Sequence, residues 1–127
     1  LRTAALMGGA SARFFNEKGP DALKGTPVYT DSLQTEQKIV FSGNAAEAIR
    51  LFPTKVNVTV AASRASVGPE VMHVTIQSTP GFKGDTQRVE IENEQVRAVV
   101  DVYSATAEIA GWSVVNTLLN IVSPVVF

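Results

Sequence analysis

Apolar and polar side chains follow two different periods along this chain. Ala45, Ala48, Ile49 and Phe52 fall at i, i+3, i+4 and i+7, the spacing of one helix face. Asn44 stands where an N-cap belongs, Glu47 completes a capping-box-like pair, and Pro53 ends the helix. A second helix is predicted from about Lys55 to Ser66, with Val58, Ala61, Ala62 and Ala65 at the same spacing. The period then drops to two. Met72, Val74 and Ile76 alternate with His73, Thr75 and Gln77, and Val89 and Ile91 alternate with Arg88, Glu90 and Glu92. Val96, Ala98, Val100 and Val102 alternate with Arg97, Val99, Asp101 and Tyr103 after a tight turn at Asn93-Glu94. This pattern predicts antiparallel strands with one wetter face. Two earlier strands are predicted at 10–16 and 38–41, with 21–34 a polar connecting loop.

The stretch from Ile109 to Phe127 carries no charged residue, which raises the question of a membrane span. Ser113, Asn116, Thr117, Asn120 and Ser123, with Pro124 as a stop, argue instead for a packed helix. Its apolar half, built on Trp112, Val114, Val115, Leu118, Leu119, Ile121 and Val122, is expected to cover the apolar face of the sheet. Its neutral outer face suits contact with another subunit. The expected fold class is α+β: residues 1–127 form one domain, an open, mostly antiparallel or mixed sheet with helices packed on one face.

Composition narrows the chemistry. The chain of 127 residues is 45% hydrophobic and 18% charged, a globular composition of single-domain size. Eleven basic against twelve acidic residues leave a net charge of −1 with no basic stripe, which argues against nucleic acid as a partner. The absence of cysteine excludes disulfides, thiolate metal sites and a cysteine nucleophile, and a single histidine excludes any two-histidine mechanism. No secretory leader pattern is visible at Leu1–Met7, and a cytoplasmic location is expected, away from membranes.

Few residues invite a catalytic role. His73 lies mid-strand on the polar side with no adjacent orienting partner, so a structural role is expected. Gly8-Gly9 does not follow a strand and lacks the spacing of a dinucleotide turn. Glu90, Glu92 and Glu94 project to one face, but carbonyl-rich loop ligands for a hard cation are missing, and Arg88 and Arg97 are placed to pair with them. The segment from Gly81 to Gln87 is the expected seat of chemistry, as a loop mounted on a sheet. Its polar members Lys83, Asp85, Thr86 and Gln87 form a binding set, since an amide cannot exchange protons near neutral pH.

The stretch from Val40 to Val58 (VFSGNAAEAIRLFPTKVNV) resembles the L-aspartate dehydrogenase family, in which it takes the form F-x-G-x-A-x-E-A-[IV]-x-L-F-P-x-N-[IV]-N-V. The likeness extends over almost the whole chain, with Thr106, Ala110, Ser113, Thr117 and Leu118 in register in the closing helix region. It implies the C-terminal domain of a two-domain NAD(P) oxidoreductase, the half that carries substrate contacts and dimerises. A glycine-rich Rossmann fingerprint is not found in these residues, so no cofactor is expected to bind this chain alone, and NAD(P) only if such a domain is supplied elsewhere. The family's Asn-x-His-Glu-[IV]-Glu segment corresponds to Asp85-Thr86-Gln87-Arg88-Val89-Glu90, so Gln87 holds the place of the family's presumed catalytic histidine and Asp85 that of its asparagine. A Lys-Thr-Ser triplet corresponds to Ala105-Thr106-Ala107.

The expected candidate pocket is therefore Asn57, Asp85, Gln87 and Thr106, with no catalytic residue and no metal ligand. The resemblance implies a truncated dehydrogenase-like domain without dehydrogenase activity alone, homodimeric, with a small carboxylate or amino acid as ligand. The alternative is a stand-alone ligand-binding or protein-interaction module that reuses the scaffold.

Overall fold

The computed structural model of the chain describes residues 2–53, 56–64, 66–106 and 108–122. Its elements run α1 (Arg2–Leu6), β1 (Ser11–Lys18), β2 (Lys38–Asn44), α2 (Ala45–Leu51), α3 (Asn57–Arg64), β3 (His73–Ser78), β4 (Asp85–Glu92), β5 (Arg97–Ser104) and α4 (Glu108–Val122). The five strands form one open sheet in the order β2-β3-β1-β4-β5. β1 and β3 are parallel and every other pair is antiparallel, so the sheet is mixed and the fold α+β.

Period-two alternation decides what each face of the sheet meets. Ala12 and Phe14 of β1, Val74 and Ile76 of β3, and Val89 and Ile91 of β4 point to one side and are buried. α2 and α3 pack there through Ala45, Ala48, Phe52, Val56 and Ala62. Phe52 meets Phe41 edge to face at 5.9 Å, a favoured aromatic geometry. Each of the large side chains so enclosed contributes about 1.5–3 kcal/mol from removal of apolar surface from water. α2 forms where its sequence signals place it: Asn44 Oδ1 accepts from the Glu47 N–H at 2.9 Å, and the helix stops at Phe52, the residue before proline.

Three expectations are corrected. The 21–34 segment contains two 3-10 turns, Pro20–Leu23 and Asp31–Gln34, each of which buries one leucine, Leu23 or Leu33. α3 spans Asn57–Arg64 and turns Thr59, Ala62 and Ser63 inward, while Val58 is 42% exposed; Lys55 and Ala65 of the expected helix lie outside the described residues. The inner face of α3 is small and polar because the strands beneath its start present amides and a carboxylate, not aliphatic groups. The third correction concerns α4. It does not cover the sheet: Trp112 is 69% exposed, Leu118 59% and Ile121 74%. α2 and α3 already occupy the centre of the apolar face, and the same face of β5 is left open, with Val100 45% exposed. An apolar half-wheel specifies that a helix needs a partner surface, not which one. The expected stop at Pro124 lies outside the described residues. Among the described residues, no helix is long and apolar enough to cross a membrane.

Candidate functional site

The apolar parity of β1 changes character towards its C-terminal end. After Ala12 and Phe14 the inward positions are Asn16 and Lys18, both buried. β4 runs antiparallel beside it, with Gln87 directly opposite Asn16 and Asp85 directly opposite Lys18. Four polar side chains thus form a square patch at one end of an otherwise greasy face. The N-terminal turn of α3 hangs over it, and Phe14, Asn16, Val56, Asn57, Val58, Thr59, Asp85 and Gln87 enclose a cleft of about 270 Å³. That volume suits a small metabolite and lies just below the range of pockets that hold drug-sized ligands.

Hydrogen bonds fix the patch. Asn16 Nδ2 donates to Asp85 Oδ1 at 2.5 Å and to the Thr86 carbonyl at 2.9 Å. Gln87 Nε2 donates to Asp85 Oδ2 at 2.7 Å. Lys18 Nζ stands 4.0 Å from Asp85 Oδ1 and does not line the cleft. Both carboxylate oxygens are therefore oriented by amide donors, and the carbonyl oxygens of the same two amides remain as acceptors. Asp85 is the one charged side chain among the lining residues.

Of the four expected pocket residues, Asn57, Asp85 and Gln87 meet in this cleft. Thr106 does not line it; it is exposed and its Oγ1 accepts from the Glu108 N–H at 3.3 Å, at the start of α4. Asp85, Thr86 and Gln87 belong to β4 itself, not to the preceding loop, because they pair with Lys18, Glu17 and Asn16 of β1. Lys83 stays in the loop, where its carbonyl accepts from the Tyr103 hydroxyl at 2.9 Å. Sequence reasoning missed Asn16 and Thr59. The available signal was parity: Asn16 falls on the apolar side of its strand, two residues after Phe14.

The opposite face of the sheet carries His73, with Nε2 3.3 Å from the Ser42 hydroxyl, beside Arg13, Phe15, Thr75, Arg88 and Glu90. The imidazole is thus separated from the cleft by the sheet. Glu90 is bonded by Arg97 at 2.9 Å and Arg13 at 2.8 Å, with Arg88 at 3.7 Å. The Arg97 hydrogen bond is the largest cause holding the Glu90 carboxyl below its ordinary value, burial opposes it, and Arg13 adds to the lowering. Pairing with Arg88 and Arg97 is as expected for Glu90. No group of three or more candidate metal ligands occurs among the described residues.

Among the described residues, neither candidate for a phosphate-binding turn has the geometry of a dinucleotide site. β2 runs directly into α2, and there the Asn44 side chain takes up one of the free N–H groups that a phosphate would need. Gly8 and Gly9 adopt positive φ, but between α1 and β1, in helix-to-strand order.

A family model described as "Aspartate dehydrogenase, C-terminal" matches residues 1–121. The chain belongs to this family. It is similar to an L-aspartate dehydrogenase of Bradyrhizobium diazoefficiens, 33% identical over 77% of this chain and 37% of that protein. It is also similar to the L-aspartate dehydrogenase of Methanosarcina mazei, 28% identical over 98% of this chain and 51% of that protein. The crystal structure of aspartate dehydrogenase from Thermotoga maritima superposes with a TM-score of 0.70 at 25% identity, covering 92% of this chain and 46% of that one. The chain thus spans about half or less of the length of these relatives. On β4, Asp85 and Gln87 line the cleft of this aspartate dehydrogenase C-terminal domain.

Proposed function

We propose that this domain is the amino-acid-binding half of an aspartate dehydrogenase-like scaffold, and that these 127 residues alone bind a small amino acid without turning it over. The observation that carries this reading is Asp85, held by Asn16 and Gln87 and the one charged group lining the cleft. A negative, acceptor-rich lining selects a ligand that brings a positive donor, so a primary ammonium group docks at Asp85. An amino acid meets that requirement and a simple carboxylate does not. Binding without turnover follows from Gln87, an amide where the resemblance places histidine; it orients a carboxylate but moves no proton.

Calorimetry on the 127-residue chain tests this directly. Heat is expected with L-aspartate or another small amino acid, none with succinate, and Asp85→Asn is expected to abolish it. Reduction of NAD(P)+ in the presence of L-aspartate, by this chain alone, would refute the absence of turnover. Binding of succinate in preference to amino acids would refute the ammonium site.

The second reading, an interaction module, is favoured by the open side of β5 and the exposed apolar side chains of α4. Contiguous apolar surface of that kind marks interaction sites. Its simplest form is a homodimer.

A further inference from the structure

Phe15 breaks the pattern of the polar face of the sheet. Its neighbours along β1 on that side are Arg13 and Glu17, and its partners across the ladders are Thr75 of β3 and Arg88 of β4. The core does not call for it, since the core side of β1 is supplied by Ala12 and Phe14. Phe15 is only half-buried, an aromatic ring set among charged and hydroxyl groups.

A cavity of about 210 Å³ opens over this ring, walled by Arg13, His73, Thr75, Arg88 and Glu90. Its charges do not cancel. Glu90 is the one carboxylate in the lining, and its Oε1 already accepts from Arg13 Nη2 at 2.8 Å and from Arg97 Nε at 2.9 Å. Arg97 does not line the cavity, so it neutralises Glu90 from outside. Two guanidiniums against one carboxylate leave the wall one positive charge, with the imidazole counted as neutral.

The guanidiniums also keep donors to spare. Arg13 commits Nη2 to Glu90, one of the five N–H groups of such a side chain. Arg88 is held loosely, with Nη1 3.4 Å from Asp101 Oδ2 and Nη2 3.7 Å from Glu90 Oε2. Both separations exceed the roughly 2.7–2.9 Å of a well-made charge-assisted bond.

We propose that this cavity binds a monocarboxylate carried on a flat apolar body, its ring on Phe15 and its carboxylate between Arg13 and Arg88. A planar guanidinium fork matches a carboxylate, and a flat ring gains from contact with both an aromatic face and a guanidinium plane. The cavity is smaller than the pockets of about 300–1,000 Å³ that hold drug-sized ligands, which limits the occupant to about one ring. One surplus positive charge suits a monoanion, whereas a phosphate dianion would bring its second charge against Glu90. The site is separate from the Asp85 cleft, because Phe15 and Asn16 point to opposite sides of β1, and it does not rest on the amino-acid reading of that cleft.

Benzoate, titrated into the full chain and followed by NMR, is the probe. Binding at about millimolar concentration is expected for so small a ligand. Shifts are expected at Arg13, Phe15, His73 and Thr75, and none at Asn57 or Thr59 of the cleft. Acetate, which lacks the ring, and benzamide, which lacks the charge, are each expected to bind about tenfold more weakly or worse, and inorganic phosphate no better than acetate. Arg13→Gln and Arg88→Gln are each expected to weaken benzoate by about tenfold, and Phe15→Leu to erase its advantage over acetate. Both arginines are solvent-exposed in part, so their variants test the site even where Phe15→Leu disturbs the fold. Absence of benzoate binding, shifts confined to the Asp85 cleft, affinity unchanged in both arginine variants, or phosphate binding as tightly as benzoate would each overturn the assignment.

Discussion

Removing the Asn16 side chain is the sharpest test of how the cleft is held. Asn16 is 4% exposed and its Nδ2 serves two acceptors on β4, the Asp85 carboxylate and the Thr86 carbonyl. A hydrogen bond to a charged acceptor contributes about 1.5–3 kcal/mol and a neutral one about 0.5–1.5 kcal/mol. Asn16→Ala is therefore expected to destabilise the fold by about 2–4 kcal/mol, a large share of the roughly 5–15 kcal/mol of a typical domain. With a urea slope of about 1.5–2 kcal/mol per molar, the unfolding midpoint falls by about 1–2.5 M. The partner is identified by a double-mutant cycle with Asp85→Ala. Because the two side chains share one bond, a coupling of about 1.5–3 kcal/mol is expected. A midpoint shift under about 0.5 M, or additivity within about 0.5 kcal/mol, would show that Asn16 does not anchor Asp85.

Three further outcomes follow from the same geometry. The folded-state pKa of Glu90 lies below its ordinary value of 4.5, so its contribution to stability is present above that value and is lost as pH falls through the lowered one. Thermal melts of Glu90→Gln are thus expected to lie below those of the parent at pH 7 and to converge with them in acid; a gap constant from pH 7 to pH 3 would contradict the assignment. Asn44→Ala removes the cap of α2 and is expected to cost about 1 kcal/mol in chemical denaturation, with Asn44→Asp recovering most of it. Gln87→His introduces an imidazole beside the Asp85 carboxylate, and proton NMR is expected to find it titrating above the ordinary value of about 6.5, since an opposite charge favours the protonated ring. A value at or below that figure would mean the ring and the carboxylate do not meet.

What could be read from the residues alone was whatever is decided within a few positions. The cap at Asn44, the inner face of α2 and the alternation in β3, β4 and β5 all depend on near neighbours, and all three appear where the spacing puts them. Asn16 escaped because its partner Asp85 is 69 residues away, and the pairing of β1 with β4 is invisible until the sheet is assembled. The extension of β4 back to Asp85 escaped for the same reason: Pro80, Gly81 and Gly84 mark a loop, and only the ladder with Glu17 and Lys18 decides where it ends. The inner face of α3 was misjudged because small apolar residues were matched to an apolar floor. The floor beneath its start is a carboxylate and two amides, and Thr59 with Ser63 suits it better than Val58 with Ala61.

The pairing of aspartate with glutamine in the cleft has a physical logic that neither residue has alone. An imidazole next to Asp85 would be drawn towards its charged form, and the pair would exchange protons as a unit. An amide next to the same carboxylate donates through Nε2 and cannot lose the proton, so it adds no titrating group to the site. Gln87, two residues after Asp85, thus orients the carboxylate without itself moving a proton. The ammonium ligand of the proposed reading matches this, because its own charge is equally fixed near neutral pH.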